Sequence, residues 1–152
     1  MERWSTANDV VIRCMREEDI PEILALDKQF VGEGRALTYS DPVESYIGGS
    51  LALSQVAEVQ GRIAGFLLCR LAEYQPGEPE GVWIQLLGVH PDYQRRGIGQ
   101  RLVRHLMEQC RETGLKEMTV LANRYDDVLR AFFTSLGFRQ GELVSYSRKV
   151  ET

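Results

Sequence analysis

The chain predicts a mixed α/β fold, and three observations carry that expectation. Apolar residues recur at steps of three and four through residues 97–113, the mark of a helix that packs one face on a core. Short runs rich in Val, Ile and Leu, such as 10–14 and 82–89, favour a pleated surface. Gly and Pro residues separate these runs at turn-like intervals. The resulting order is strand, two helices, three strands, helix, strand, helix, strand.

Each element has its own signal. Val10 to Cys14 reads as the first strand. Glu17 to Phe30 reads as a helix, with acidic residues and Pro21 at its start and a stripe of Ile20, Ile23, Leu24 and Leu26. Gly32 and Gly34 break it. Asp41-Pro42 with Glu44 has the form of an N-cap, a first-turn proline and a capping-box partner, so a short second helix is expected through Tyr46 and Ile47 to Gly48-Gly49. Strands follow at 51–59 and 63–71, joined by a hairpin-turn candidate, Gln60-Gly61. The prolines and glycines of 74–81 predict a loop, and 82–89 predicts a fourth strand. The helix at 97–113 carries Ile98, Leu102, Val103, Leu106, Met107 and Cys110 on one face and stops at Gly114. A fifth strand is expected at 116–122. Asp126 or Asp127 then caps a helix bearing Val128, Leu129, Phe132, Phe133 and Leu136, and a last strand or hairpin is expected over 138–150.

With 152 residues, the chain suits one domain with one sizeable core, expected to span 1–152. It is 43% hydrophobic and 26% charged, as soluble globular proteins are. The net charge of −4 argues against a general affinity for nucleic acid, which calls for a basic face. No run of about 18 apolar residues is present to span a membrane, and the first residues lack the apolar run of a signal peptide. Cys14, Cys69 and Cys110 are odd in number, without CxxC spacing or a nearby His pair, which points away from a disulfide framework or a zinc site. Buried, reduced thiols in a cytoplasmic protein are the expectation, with no metal.

The chemistry concentrates in Leu87-Gly88-Val89-His90-Pro91-Asp92-Tyr93-Gln94-Arg95-Arg96-Gly97-Ile98-Gly99. A buried strand runs through a tight turn into a loop with two glycines, and that loop opens an amphipathic helix. Such a junction leaves backbone N–H groups without intrahelical partners at the positive end of the helix dipole, an arrangement suited to phosphate oxygens. Gly97 and Gly99 allow a bulky diphosphate to approach the backbone. Arg95, Arg96, Arg101 and Arg104 add local positive charge, although the last two fit a solvated helix face equally well. A dinucleotide fingerprint needs another glycine where Leu102 stands, and a P-loop needs Gly-Lys-Ser/Thr, which is missing.

Here the sequence resembles the GNAT superfamily of acyl-CoA-dependent N-acyltransferases. Gln94-Arg95-Arg96-Gly97-Ile98-Gly99 matches the pattern Gln/Arg-x-x-Gly-x-Gly/Ala, preceded by Val89-His90-Pro91. Ala131 to Phe138 is similar to the family's late helix ending in Gly-Phe, and Ile12-Arg13 with Asp19-Ile20 is similar to its first strand and helix. The resemblance implies a GNAT fold, a mixed six- to seven-stranded sheet with helices on both faces. It implies acetyl-CoA as co-substrate, with its pantetheine arm between splayed fourth and fifth strands against the backbone of Leu87, Gly88 and Val89. A bulge at Gly88 would suit that strand. Arg95, Arg96, Gly97, Ile98, Gly99 and Gln100 would cradle the pyrophosphate, and Asp126 stands where an Asn often contacts the cofactor.

The expected reaction is direct acetyl transfer to an amine, with the Val89 N–H as the oxyanion contact. Many members place a Tyr at the position of Phe133 as proton donor, and some carry a strand Glu where Trp83 and Leu121 stand here. Tyr125 and Tyr146 are the remaining donor candidates. Glu33, Glu78 and Glu80 lie in segments that line the acceptor side in the family and would attract a cationic amine. The acceptor is a protein lysine, an N-terminal amine or a small amine, and a homodimer stays open as the assembly. The missing Tyr and Glu also keep a second reading, a CoA-binding sensor or partner module without transferase activity. A nucleic-acid module rests on the local arginines alone, against the acidic balance.

Overall fold

The computed structural model describes residues 10–31, 53–75, 78–122 and 124–151. They divide into two compact units, Met1–Leu121 and Ala122–Thr152.

The first unit is built on one sheet. Strand β1 (Val10–Cys14) is followed by a 3-10 turn at Glu17–Asp19 and helix α1 (Ile20–Val31). Strands β2 (Gln55–Val59), β3 (Arg62–Gln75) and β4 (Glu78–Val89) come next, then a 3-10 turn at Pro91–Tyr93, helix α2 (Ile98–Thr113) and strand β5 (Glu117–Val120). The strand order is β1-β2-β3-β4-β5. The first four strands pair antiparallel and β5 joins β4 in parallel, so the sheet is mixed as expected.

Side-chain alternation sorts the helices onto opposite faces of the sheet. On one face Val56, Phe66 and Leu68 form a cluster with Ile20, Ile23 and Leu26 of α1. On the other face lie Gln55, Ala57, Gly65 and Leu67, which α2 covers. Ile98 and Leu102 pack at Gly65, and Gln55 Nε2 donates to Gln109 Oε1 at 2.9 Å. The predicted α2 stripe is buried at Ile98, Leu102, Val103, Leu106 and Cys110, while Met107 is only half-buried. Gly114 ends α2 at φ 80°, the left-handed stop that glycine serves. The β2–β3 turn uses Gln60 at φ 51° and Gly61 at φ 78°, a pairing whose twist suits a two-residue hairpin.

Three expectations are corrected. The loop expected over 74–81 is largely strand, because β3 extends to Gln75 and β4 begins at Glu78, with Gln75 opposite Glu78. Pro79 is accommodated where the ladder shifts register, so its missing N–H interrupts an already irregular stretch. The bulge expected at Gly88 lies at Gln85 instead: Leu68 opposes Leu86 and Cys69 opposes Ile84, which leaves Gln85 as the extra residue, whereas Gly88 faces Phe66 in regular register. Among the described residues the sheet has five strands, and 138–150 belongs to none of them. Residues suited to a strand mark the capacity to pair, but a ladder forms only where a partner edge receives it. The helix expected over 41–49 lies outside the described residues.

The second unit contains helix α3 (Asp127–Ser135) and the extended segment that follows. Asp126 caps α3, its side chain accepting from Leu129 N at 3.0 Å. Phe133 is buried, edge-on to Phe132 and to Phe138 with ring centroids 5.1 Å apart in each case. Phe133 thus lies in apolar packing, while Phe132 is half-buried.

Candidate active site

The site forms where β4 parts from β5. The parallel ladder covers only Gly81–Ile84 against Glu117–Val120. The bulge at Gln85 follows at once, and a bulge bends its strand, so β4 turns away where the pairing ends.

Beyond the bulge, the register decides which backbone groups face outward. Val89 opposes Gly65, and the next N–H, that of His90, donates to Ala64 O at 2.7 Å. In an antiparallel ladder this makes Val89–Gly65 a pair without mutual hydrogen bonds, so the N–H and C=O of Val89 point away from β3. Two residues earlier Leu87, opposite Leu67, has the same orientation, while Gly88 directs its groups toward β3. Leu87 and Val89 therefore present main-chain donors and acceptors on the side of β4 that β5 has left. Of the three residues expected here, these two have the outward geometry.

The strand then enters a tightly held turn. His90 Nδ1 accepts from Asp92 N at 3.0 Å, and Tyr93 N donates to His90 O at 2.8 Å. That bond occupies His90 Nδ1 as an acceptor, which agrees with a turn residue rather than a general base. Tyr93 lies edge-on to His90 at 5.7 Å, and the Arg96 guanidinium lies over the Tyr93 ring at 5.5 Å. Arg95 is exposed with φ 66° and Gly97 has φ 78°, so two left-handed residues coil the loop just ahead of α2. Arg104 is exposed, as a solvated face would have it, whereas Arg101 is half-buried and donates to Val10 O at 3.3 Å, which ties α2 to β1.

The start of α2 is chemically unlike that of α3. Asp126 caps α3 and Asp127 lies in its first turn. The N-cap of α2 is Gly97, with no side-chain cap and no acidic residue in the first turn. The first intrahelical bond is Arg101 N to Gly97 O at 3.0 Å, so the N–H groups of Gly97, Ile98, Gly99 and Gln100 have no helical acceptor. Uncapped donors at the positive end of a 16-residue helix, with Arg95 and Arg96 alongside, suit a diphosphate. The residues present fit the acyl-CoA group that the sequence suggested.

The other expected residues are placed as follows. Glu78 and Glu80 lie at the start of β4; Glu80 is exposed and its carbonyl accepts from Lys116 N at 2.8 Å. Glu33 lies outside the described residues. In the second unit, Tyr125 lies in the turn before α3, and Tyr146 is 92% exposed in the extended segment. Asp126 is the α3 cap, a local role the sequence had also suggested. Sequence reasoning did not find Gln85, whose bulge opens the site, or Gly65, whose missing side chain lets Ile98 and Leu102 approach the sheet. A glycine in a strand was the available signal for the second.

Comparison with known proteins establishes the family. The model of the Acetyltransferase (GNAT) family matches residues 18–138. The chain belongs to that family. It is 37% identical over 83 residues to the tRNA(Met) cytidine acetyltransferase of Aeropyrum pernix, an alignment covering 54% of this chain and only 11% of that much longer protein. Among solved structures, an aminoglycoside acetyltransferase from an uncultured soil metagenomic sample, in complex with sisomicin, superposes with a TM-score of 0.77 at 22% identity, covering 95% of this chain and 99% of that one. The ribosomal-protein-S18-alanine N-acetyltransferase of Escherichia coli gives 0.74 at 20% identity, over 88% and 79% of the two chains. At these identities the likeness is one of fold. No helix among the described residues is long and apolar enough to cross a membrane.

Proposed function

We propose that this chain is a cytoplasmic N-acetyltransferase, acting as a single domain, that moves an acetyl group from acetyl-CoA directly to a primary amine. The observation that carries the reading is the outward-facing backbone of Leu87 and Val89, set on the same strand–turn–helix segment as an uncapped helix start. Acetyl-CoA brings an activated thioester. The backbone of Leu87 holds the pantetheine amide, Val89 N–H donates to the thioester oxygen as charge develops there, and Arg95 to Gln100 receive the diphosphate. Orientation of the amine against the carbonyl supplies the rest of the acceleration, and no step requires a metal.

The acceptor is an amine on a protein, a lysine or an N-terminus, or a small amine. Glu33, Glu78 and Glu80 favour its cationic form before deprotonation. Relatives of the fold that act on aminoglycosides and on a ribosomal protein's alanine are consistent with an amine acceptor. Tyr125 or Tyr146 donates the proton to the departing thiolate, since Phe133 has none to give, and Asp126 contributes to cofactor contact. Phe133 also favours a second reading, a CoA-binding module without turnover.

Gly99→Val tests the cofactor assignment. Gly99 lies in the first turn of α2, where a branched side chain occupies space meant for phosphate, so acetyl-CoA affinity should fall by about 2 kcal/mol or more. Unchanged affinity by calorimetry refutes the assignment. Thiol release with a panel of amines, beside that binding measurement, separates enzyme from sensor: binding without turnover on any amine selects the sensor.

A further inference from the structure

The two ends of the proposed cofactor site sit on either side of a five-residue step. Val89 ends the strand that polarises the thioester, and Arg95 begins the loop that receives the diphosphate. Between them stands one side chain with a bond neither end explains: Gln94 Nε2 donates to Val89 O at 3.0 Å. The acceptor is the outward carbonyl that the β3 ladder leaves unused. Gln94 has extended backbone, φ −67° and ψ 156°, and is immediately followed by the left-handed Arg95. Its side chain is exposed, so burial does not account for the bond.

We propose that Gln94 is a positioning residue, whose amide ties the end of β4 to the start of the diphosphate loop and so sets the separation between thioester and diphosphate contacts. The inference rests on the acetyl-CoA reading above. The turn within the span is already closed by Tyr93 N to His90 O and by Asp92 N to His90 Nδ1. Without Gln94 that turn is a rigid body hinged at both ends. With Gln94 the outer hinge is locked onto Val89 itself, the residue whose N–H is to meet the carbonyl. A loop anchored by the diphosphate then holds Val89 in place, and remote binding is converted into alignment at the reacting atom.

The test uses the full chain, acetyl-CoA labelled with carbon-13 at the thioester carbonyl, and Gln94→Leu, which keeps the bulk and removes the donor. In the parent the bound carbonyl stretch lies below its value in free solution, because a preorganised donor polarises it. In Gln94→Leu the stretch returns toward the free value, and the dissociation constant for acetyl-CoA rises about three- to tenfold, the scale of one hydrogen bond. Gln94→Glu, equal in shape but without the donor, shows the same carbonyl frequency as Gln94→Leu. The melting temperature of both variants stays at the parent value, which separates positioning from a merely structural role. A carbonyl frequency identical in parent and variants overturns the role of Gln94 while leaving the cofactor assignment intact. A parent that does not bind acetyl-CoA overturns the assignment and the role of Gln94 with it.

Discussion

Replacing Gly81 by Ala tests whether the β4–β5 junction is as tight as it looks. A Cβ built at Gly81 would stand 2.5 Å from the carbonyl oxygen of Glu117, 3.2 Å from its carbonyl carbon and 3.3 Å from its Cβ. Ordinary van der Waals contact begins at 3.4 Å, so the start of β5 must retreat by 0.9 Å. The obstacle is backbone, and no rotamer change relieves it. Gly81↔Glu117 is the first of only four residue pairs joining these strands, and the neighbouring Lys116 N to Glu80 O bond shares the strain. Overpacking costs about 1–3 kcal/mol, and a backbone obstacle with a weakened ladder end puts Gly81→Ala near about 3 kcal/mol. For a chain of this length that is a fall of roughly 6–12 °C in melting temperature. Gly65→Ala meets Gly88 O at 3.0 Å and the Ile98 side chain at 3.2 Å, a milder obstruction that should cost about 1–2 kcal/mol. Gly141→Ala meets nothing within 4 Å and serves as the control. Thermal unfolding followed by circular dichroism should rank them Gly81, Gly65, Gly141 from largest loss to none. A Gly81→Ala protein that melts with Gly141→Ala refutes the reasoning.

Three further outcomes are expected. Burial of Asp19 raises its pKa, but paired 2.8 Å bonds from Arg13 and the Arg16 N–H outweigh that and hold it below the usual carboxylate value. Its stabilisation is therefore complete above the ordinary carboxylate range and is lost as pH falls through the lower folded value; Asp19→Asn should cost about 2 kcal/mol at neutral pH and flatten this acid limb in urea titrations. Burial pushes the Cys69 thiol up to about 12 and raises that of Cys110, whereas Cys14 is exposed against the sequence expectation, because β1 lies at the sheet edge. A disulfide reagent at pH 8 should thus label one thiol rapidly in the native protein, lost in Cys14→Ser, and three after unfolding. In thiol-release assays Phe133→Tyr should match or exceed the parent, while Tyr125→Phe or Tyr146→Phe lowers turnover by roughly 100-fold with acetyl-CoA affinity kept; both variants at the parent rate would mean that water is the acid.

Much of the architecture was legible because it depends on local periodicity. Strand β1 and the α2 stripe occupy the residues expected, and Gly97 and Gly114 bracket α2 because both stand in conformations that suit glycine. The strand–turn–helix motif likewise carried the uncapped start of α2 in its own residue types. What misled was composition read without a partner. Tyr74 to Gly81 has the prolines and glycines of a loop, but pairing between β3 and β4 draws most of it into the ladder. Residues 138–150, expected as a strand or hairpin, lie in no ladder of the described residues.

The sequence by itself therefore determined most of the elements, the helix faces and the uncapped, glycine-bearing start of α2, since these follow from the repeat of side chains along one segment and from glycines at left-handed positions. The tertiary structure alone decided where the sheet opens. Only the pairing of Leu68 with Leu86 and Cys69 with Ile84 reveals the bulge at Gln85, and only the register of Val89 against Gly65 shows which N–H groups face outward. Register is a relation between distant segments, and a shift of one residue reverses the side each backbone group faces, so no local pattern encodes it.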